Sequence, residues 1–172
     1  MELKPQEVLI LLKVIAHPGE TWSYARLAAE LHMSPAEVHA SVARAVAANL
    51  AVRKPKAWSP NARALEEFLV HGAKYSFPPD IGPIRRGFPT AHAAPPLNQH
   101  ISSNDTIQPV WPHIMGPARG QSFSPIYKSA PLAARDDAKL YEMLALLDAI
   151  RGGRAREQRL AIELLRPRLV SA

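Results

Sequence analysis

Side chains able to do chemistry are sparse in this sequence, and their spacing excludes the familiar catalytic devices. There is no Gly-rich phosphate loop, no Gly-x-Ser-x-Gly turn to expose a nucleophile, and no His-Glu-x-x-His helix to hold zinc. Carboxylates adjoin only as Glu66-Glu67 and Asp136-Asp137. Adjacent residues on a helix point in different directions, so neither pair makes an acid–base couple. His92, His100 and His113 invite a metal, but intervals of eight and thirteen match no compact ligand motif, and the chain has no cysteine. The sequence therefore predicts no enzyme activity, no cofactor and no metal. What remains is cationic. Arg44 carries a fork able to pair with guanine, and Arg53, Lys54 and Lys56 form a short basic run suited to phosphate oxygens.

The elements that position these groups follow from proline placement and helical periodicity. Eleven of the 17 prolines lie between Pro78 and Pro131, while 1–72 holds five and 136–172 one. Proline removes a backbone donor and blocks helix interiors, so the flanks can be helical and the middle cannot. Pro5 suits a first turn, and Val8, Leu11, Leu12 and Ile15 follow at helical spacing until His17-Pro18-Gly19. Leu9, Ile10 and Val14 make that helix apolar on its other side too, so it must be covered on both. A second helix spans about Ser23–Leu31. A third opens at Ser34-Pro35-Ala36-Glu37, a capping box with proline at the first helical position, and ends near Asn49. Leu50–Arg53 and Lys56–Trp58 read as short strands bracketing Lys54-Pro55, and a further helix covers about Pro60–His71. In the tail, two helices meet at Gly152-Gly153.

Thr21–Leu50 resembles the winged helix-turn-helix family of bacterial regulators. The resemblance rests on Leu27, the small Ala28 and Leu31, on the Ser34 cap, and on Leu50 after the third helix, and it covers about 1–70. It implies a winged helix-turn-helix domain over 1–72; proline placement and periodicity add a proline-rich extended arm over 73–135 and a C-terminal helical hairpin over 136–172, for a mainly α protein. The resemblance further implies a transcriptional regulator, a dimeric (auto)repressor that lays the 34–49 helix in the major groove of double-stranded DNA and its 53–56 wing on phosphate. The expected contacts are Ser23, Tyr24, Ser34, Pro35, Ala36, His39, Ala40, Ser41, Arg44, Arg53, Lys54 and Lys56. Region 1–72 nets only +1 (eight basic, seven acidic), so direct readout per monomer is expected to be weak. A symmetric homodimer would add a second half-site.

The middle keeps aromatic and apolar residues despite its prolines, unlike an ordinary disordered linker. Two readings stay open: an arm wrapped over the helices with Trp111, Phe123 and Tyr127 among its anchors, or a recognition surface using Tyr75, Phe77, Arg85, Arg86 and Phe88. The second supports an alternative function, a protein-interaction module such as an antitoxin or adaptor gripping a partner (a toxin, for example). Asn98–Thr106, almost devoid of apolar residues, is expected to be a mobile tip. The tail's apolar stripes fit either a dimer layer or an internal cap.

The chain's 172 residues suffice for a core without staples. Lys and Arg total 21 against 15 for Asp and Glu, a net +6 that favours an anionic partner. No stretch approaches the ~20 apolar residues of a membrane span, and Val8–Leu12 is short for a signal peptide's apolar region. A cytoplasmic protein without a membrane partner is the expectation.

Overall fold

The computed structural model describes residues 1–170. Two helices that are apolar nearly all round form the centre. α1 (Pro5–Ala16) starts with proline in its first turn, and its Glu7 carboxylate accepts the Lys4 backbone N–H. α7 (Ala138–Gly152) starts at Asp137, whose carboxylate accepts the Leu140 N–H. Met143 to Arg151 of α7 are buried without a break. Each of these helices is shielded on every side by the rest of the chain. α1 packs on α3 and β2 with one face and on α7 and α8 with the other. The two-sided apolar pattern is thus satisfied inside a single chain.

Around this centre the first half is built from local signals. Ser23 caps α2 (Tyr24–Leu31) by accepting from the Arg26 N–H, and His32 ends it in the left-handed region. Ser34 and Glu37 close a reciprocal capping box on α3 (Pro35–Ala47). Asn49, at φ 61°, turns the chain out of α3 into β1 (Ala51–Lys54), which pairs antiparallel with β2 (Ala57–Pro60). α4 (Ala62–His71), capped by Asn61, and the short α5 (Ala73–Ser76) follow.

The expectation of an extended arm over 73–135 is corrected by the structure. After α5 the chain forms β3 (Ile81–Pro89), β4 (Pro109–Pro112) and β5 (Ala118–Phe123). β3 runs antiparallel to both β4 and β5, and β4 is parallel to β5, so the three strands close on one another. Proline does not prevent this because each one stands where no ladder donor is needed. Pro83 lies in the register break between Ile81 and Ile84, and Pro89, Pro109 and Pro112 lie at strand ends. Glycine permits the closure. A Cβ at Gly87 would stand 2.0 Å from the Trp111 carbonyl oxygen, and one at Gly120 equally close to that of Gln108. Single 3-10 turns occur at Ala91–Ala93 and Leu97–Gln99, so the segment expected as a mobile tip begins in an ordered turn. Ile101 also packs against the core.

α6 (Ala130–Arg135) leads into α7, and α8 (Ala155–Val170) folds back on α7 after Gly153. α8 also contacts α4 and α1, so the C-terminal hairpin caps the N-terminal helices within the chain. The protein is mixed α/β, 53% helical with eight α-helices and small sheets among the described residues, rather than mainly α.

Buried charges tie the layers together. Asp148 of α7 accepts from Thr90 (2.7 Å), from the Trp111 indole N–H (2.6 Å) and from Arg151 (2.8 Å). Burial pushes the Asp148 carboxyl above its usual range, against the pull of Arg151 and the two neutral donors. Tyr141, on the same helix, donates to the Pro89 carbonyl, and burial pushes its hydroxyl up to about 12. At the start of α7, Asp137 meets Lys13 and His17 at 2.6 Å each.

Candidate nucleic-acid interface

The outer face of α3 is built by its packing. Val38, Ser41, Val42 and Ala45 face inward, leaving Pro35, Ala36, His39 and Ala47 exposed and Ala40 half-buried. Two residues expected on the reading face are not there. Ser41 is fully buried, and Arg44 reaches back across the helix pair to Glu7. Arg44 donates from Nε and Nη2 to the two Glu7 oxygens at 3.1 and 2.9 Å, and from Nη2 to Ser41 Oγ at 3.0 Å. The reason is electrostatic. Glu7 has no exposed surface, and a buried carboxylate requires a charged partner. Hydrogen bonding to Glu7 raises the already high pKa of Arg44.

The first turn of α3 is also engaged. Glu37 accepts the Ser34 N–H at 2.8 Å and the Tyr127 hydroxyl at 3.1 Å. These contacts, the backbone one foremost, hold its carboxyl below the ordinary range. Segment 124–129, leading into α6, therefore flanks the N-terminus of α3. His39 remains exposed and meets Tyr24 of α2 edge-on, with ring centroids 5.1 Å apart.

The cationic run behaves oppositely. The two-residue turn Pro55-Lys56 of the β1–β2 hairpin holds Lys56 at φ 60°, and Arg53, Lys54 and Lys56 are all exposed. None of the three makes an ion pair or side-chain hydrogen bond among the described residues. They border a groove of about 730 Å³ whose other wall is Trp22, Ser23 and Tyr24 at the entrance to α2, with Trp58 on its hairpin side. Arg26 lies over the Trp22 ring at 4.0 Å and is itself engaged by Glu20 and Glu30. The Trp22 indole N–H is buried without a partner among the described residues. The groove and the His39 side of α3 meet at Tyr24, so hairpin, α2 entrance and α3 present one continuous surface.

Trp22 and Trp58 were absent from the sequence-based site. Their signal was an aromatic just before a capped helix and another directly across from Arg53 in the hairpin. The residues expected for partner binding do not converge. Phe88 is buried against His113, and Phe77 is half-buried against Phe68. Tyr75 is exposed beside Lys74. Arg85 and Arg86 are exposed on β3. Of the three histidines, His92 sits near Glu157 (3.5 Å) and Asp105 (3.9 Å), and His113 caps the Met115 N–H. Among the described residues no group of three His, Cys, Asp or Glu side chains is placed to hold a metal ion. No helix among the described residues is long and apolar enough to cross a membrane. Comparison with family models, with curated proteins and with solved structures finds no match to this chain.

Proposed function

We propose that this chain is a duplex-DNA-binding protein of winged-helix type that grips phosphate through its hairpin and the entrance to α2. The observation that carries the reading is the set of three exposed cations, Arg53, Lys54 and Lys56, beside the capped start of α2. They make no ion pair among the described residues, while Glu20 in the same groove is engaged by Arg26. Backbone N–H groups at a helix start add partial positive charge to the same wall, where Ser23 and Tyr24 stand. The order helix, helix, capped helix, hairpin supports the winged-helix comparison, with α3 as the groove-facing element.

Base readout is thin in this arrangement. Arg44 is held by Glu7 and Ser41 is enclosed, so α3 offers Ala36, Ala40, Ala47 and His39, beside Ser34 and Pro35 at its start. Alanine methyls touch thymine methyls without demanding them. Affinity therefore comes chiefly from phosphate, and a transcriptional regulator built this way draws sequence choice from DNA shape or from a second copy on a neighbouring half-site. The apolar stripes that would form a dimer layer are consumed inside one chain, so a homodimer would use other surfaces.

Fluorescence anisotropy with two unrelated labelled duplexes over a salt series tests this. Three phosphate contacts give a log–log salt slope of about −2.7. The Lys54→Ala/Lys56→Ala double variant should flatten that slope by about 2, while the two duplexes bind within about threefold of each other. Salt-insensitive binding, or none at low salt, would remove the proposal.

A further inference from the structure

We infer that the hollow on the outside of β3 and β5 docks an extended acidic peptide with aliphatic side chains, contributed by a partner protein. The hollow, about 440 Å³, is lined by Ile84, Arg85, Arg86, Pro112, Ile114 and Arg119, with His113 at its base. It lies on the three-stranded sheet and shares no lining residue with the hairpin groove, so the inference stands apart from the DNA-binding proposal.

Three features specify the occupant. The first is charge. No acidic residue lines the hollow, and neither Arg85 nor Arg119 makes an ion pair or side-chain hydrogen bond among the described residues. Arg86 makes only a 3.3 Å contact to the Gly116 carbonyl. Moreover, Arg86 and Arg119 are directly opposite each other in the β3–β5 register. Like charges facing across a ladder repel, so the free protein carries a repulsion that an anion between them would relieve. Arg135, which reaches toward Met115, is paired with Asp136.

The second feature is apolar exposure. Of the lining residues Ile114 is 89% exposed and Ile84 45%, and Met115, next to Ile114 in the chain, is 63% exposed. Aliphatic groups standing out of a cationic rim mark a site that takes apolar and anionic groups together. The third feature is the kind of apolar group. No Trp, Tyr or Phe lines the hollow, and its one aromatic ring, His113, is held against Phe88. Branched aliphatic walls between guanidinium forks suit a peptide whose carboxylates alternate with leucine-like side chains.

The test uses the full chain and a short fluorescein-labelled peptide alternating glutamate and leucine, with a glutamate–serine peptide and an oligo-dT strand as comparators. Saturable binding of the glutamate–leucine peptide is expected, at least about tenfold tighter than either comparator. Arg119→Glu should cut that affinity about tenfold or more while keeping or raising the melting temperature, because it sets an acid across from Arg86. Ile114→Ser, at a side chain with almost no internal contact, should weaken the same peptide severalfold with an unchanged melting temperature. The inference is overturned by lack of saturation, by equal binding of the glutamate–serine peptide, by tighter binding of oligo-dT, or by an Arg119→Glu variant that binds as before.

Discussion

Charges in the helical centre and charges on the strands of this protein follow opposite rules. Glu7 with Arg44, Asp137 with Lys13 and His17, and Asp148 with Arg151 are each buried at helix contacts, and every one has its counter-ion. Arg53, Lys54 and Lys56 on the hairpin, and Arg85 and Arg119 on the three-stranded sheet, face solvent without one. The difference follows from solvation. A helix interior cannot hold a lone charge, whereas a strand's outward residues keep theirs hydrated. A cation's type therefore says little about its role until its surroundings are known. Arg44 and Arg53 look equally fit for DNA in the sequence, yet only Arg53 is free to meet it.

Substitutions can break this contrast. The largest effect is expected at Asp148, where alanine strands the buried Arg151 guanidinium and unpairs Thr90 and Trp111. A loss of about 3–5 kcal/mol in urea unfolding is expected. Arg44→Ala should follow, costing about 2–4 kcal/mol by leaving Glu7 buried and unpaired, with relative affinities for different duplexes unchanged. A base-specific affinity change with intact stability would mean that Arg44 leaves Glu7 to read DNA. Next comes Asp137→Asn, at about 1.5–3 kcal/mol near neutral pH. Burial opposes the Asp137 charge, but Lys13, His17 and the Leu140 N–H outweigh it and hold the carboxyl below its usual range. The stability it provides is therefore complete above the ordinary aspartate pKa and lost as pH falls through the lowered one. The variant should show a flatter acid limb in a pH series of melting curves. Ser34→Ala, which removes one half of the α3 capping box, should cost about 1 kcal/mol. Smallest of all for folding, Lys54→Ala should change stability by less than about 0.5 kcal/mol while still reducing the salt slope of DNA binding.

Local signals made the first half of the fold legible. The Ser34 capping box, the left-handed Asn49 and the Gly152-Gly153 break are short-range devices, and each element boundary they imply falls within a residue or two in the structure. The two-sided apolar pattern of α1 correctly demanded a cover, although only tertiary structure reveals that α7 and α8 of the same chain supply it. The sheet was not legible. Its first two strands are joined by a long connection over 90–108, and its prolines occupy strand ends and a register break that no local pattern announces. At the candidate site the sequence located the hairpin cations but misassigned Arg44 and Ser41. Where the Arg44 guanidinium points depends on Glu7, which lies 37 residues away in the chain.

The central claim of the proposal is that DNA is held chiefly through phosphate at the hairpin and the entrance to α2, with α3 facing the groove but adding little affinity. Amide hydrogen exchange of the full chain, with and without a short duplex at low salt, tests it most directly. Slowed exchange concentrated in 21–24 and 51–60 is the predicted result. Slowing confined to α3 or to the three-stranded sheet, or an exchange pattern unchanged by saturating duplex, would contradict it.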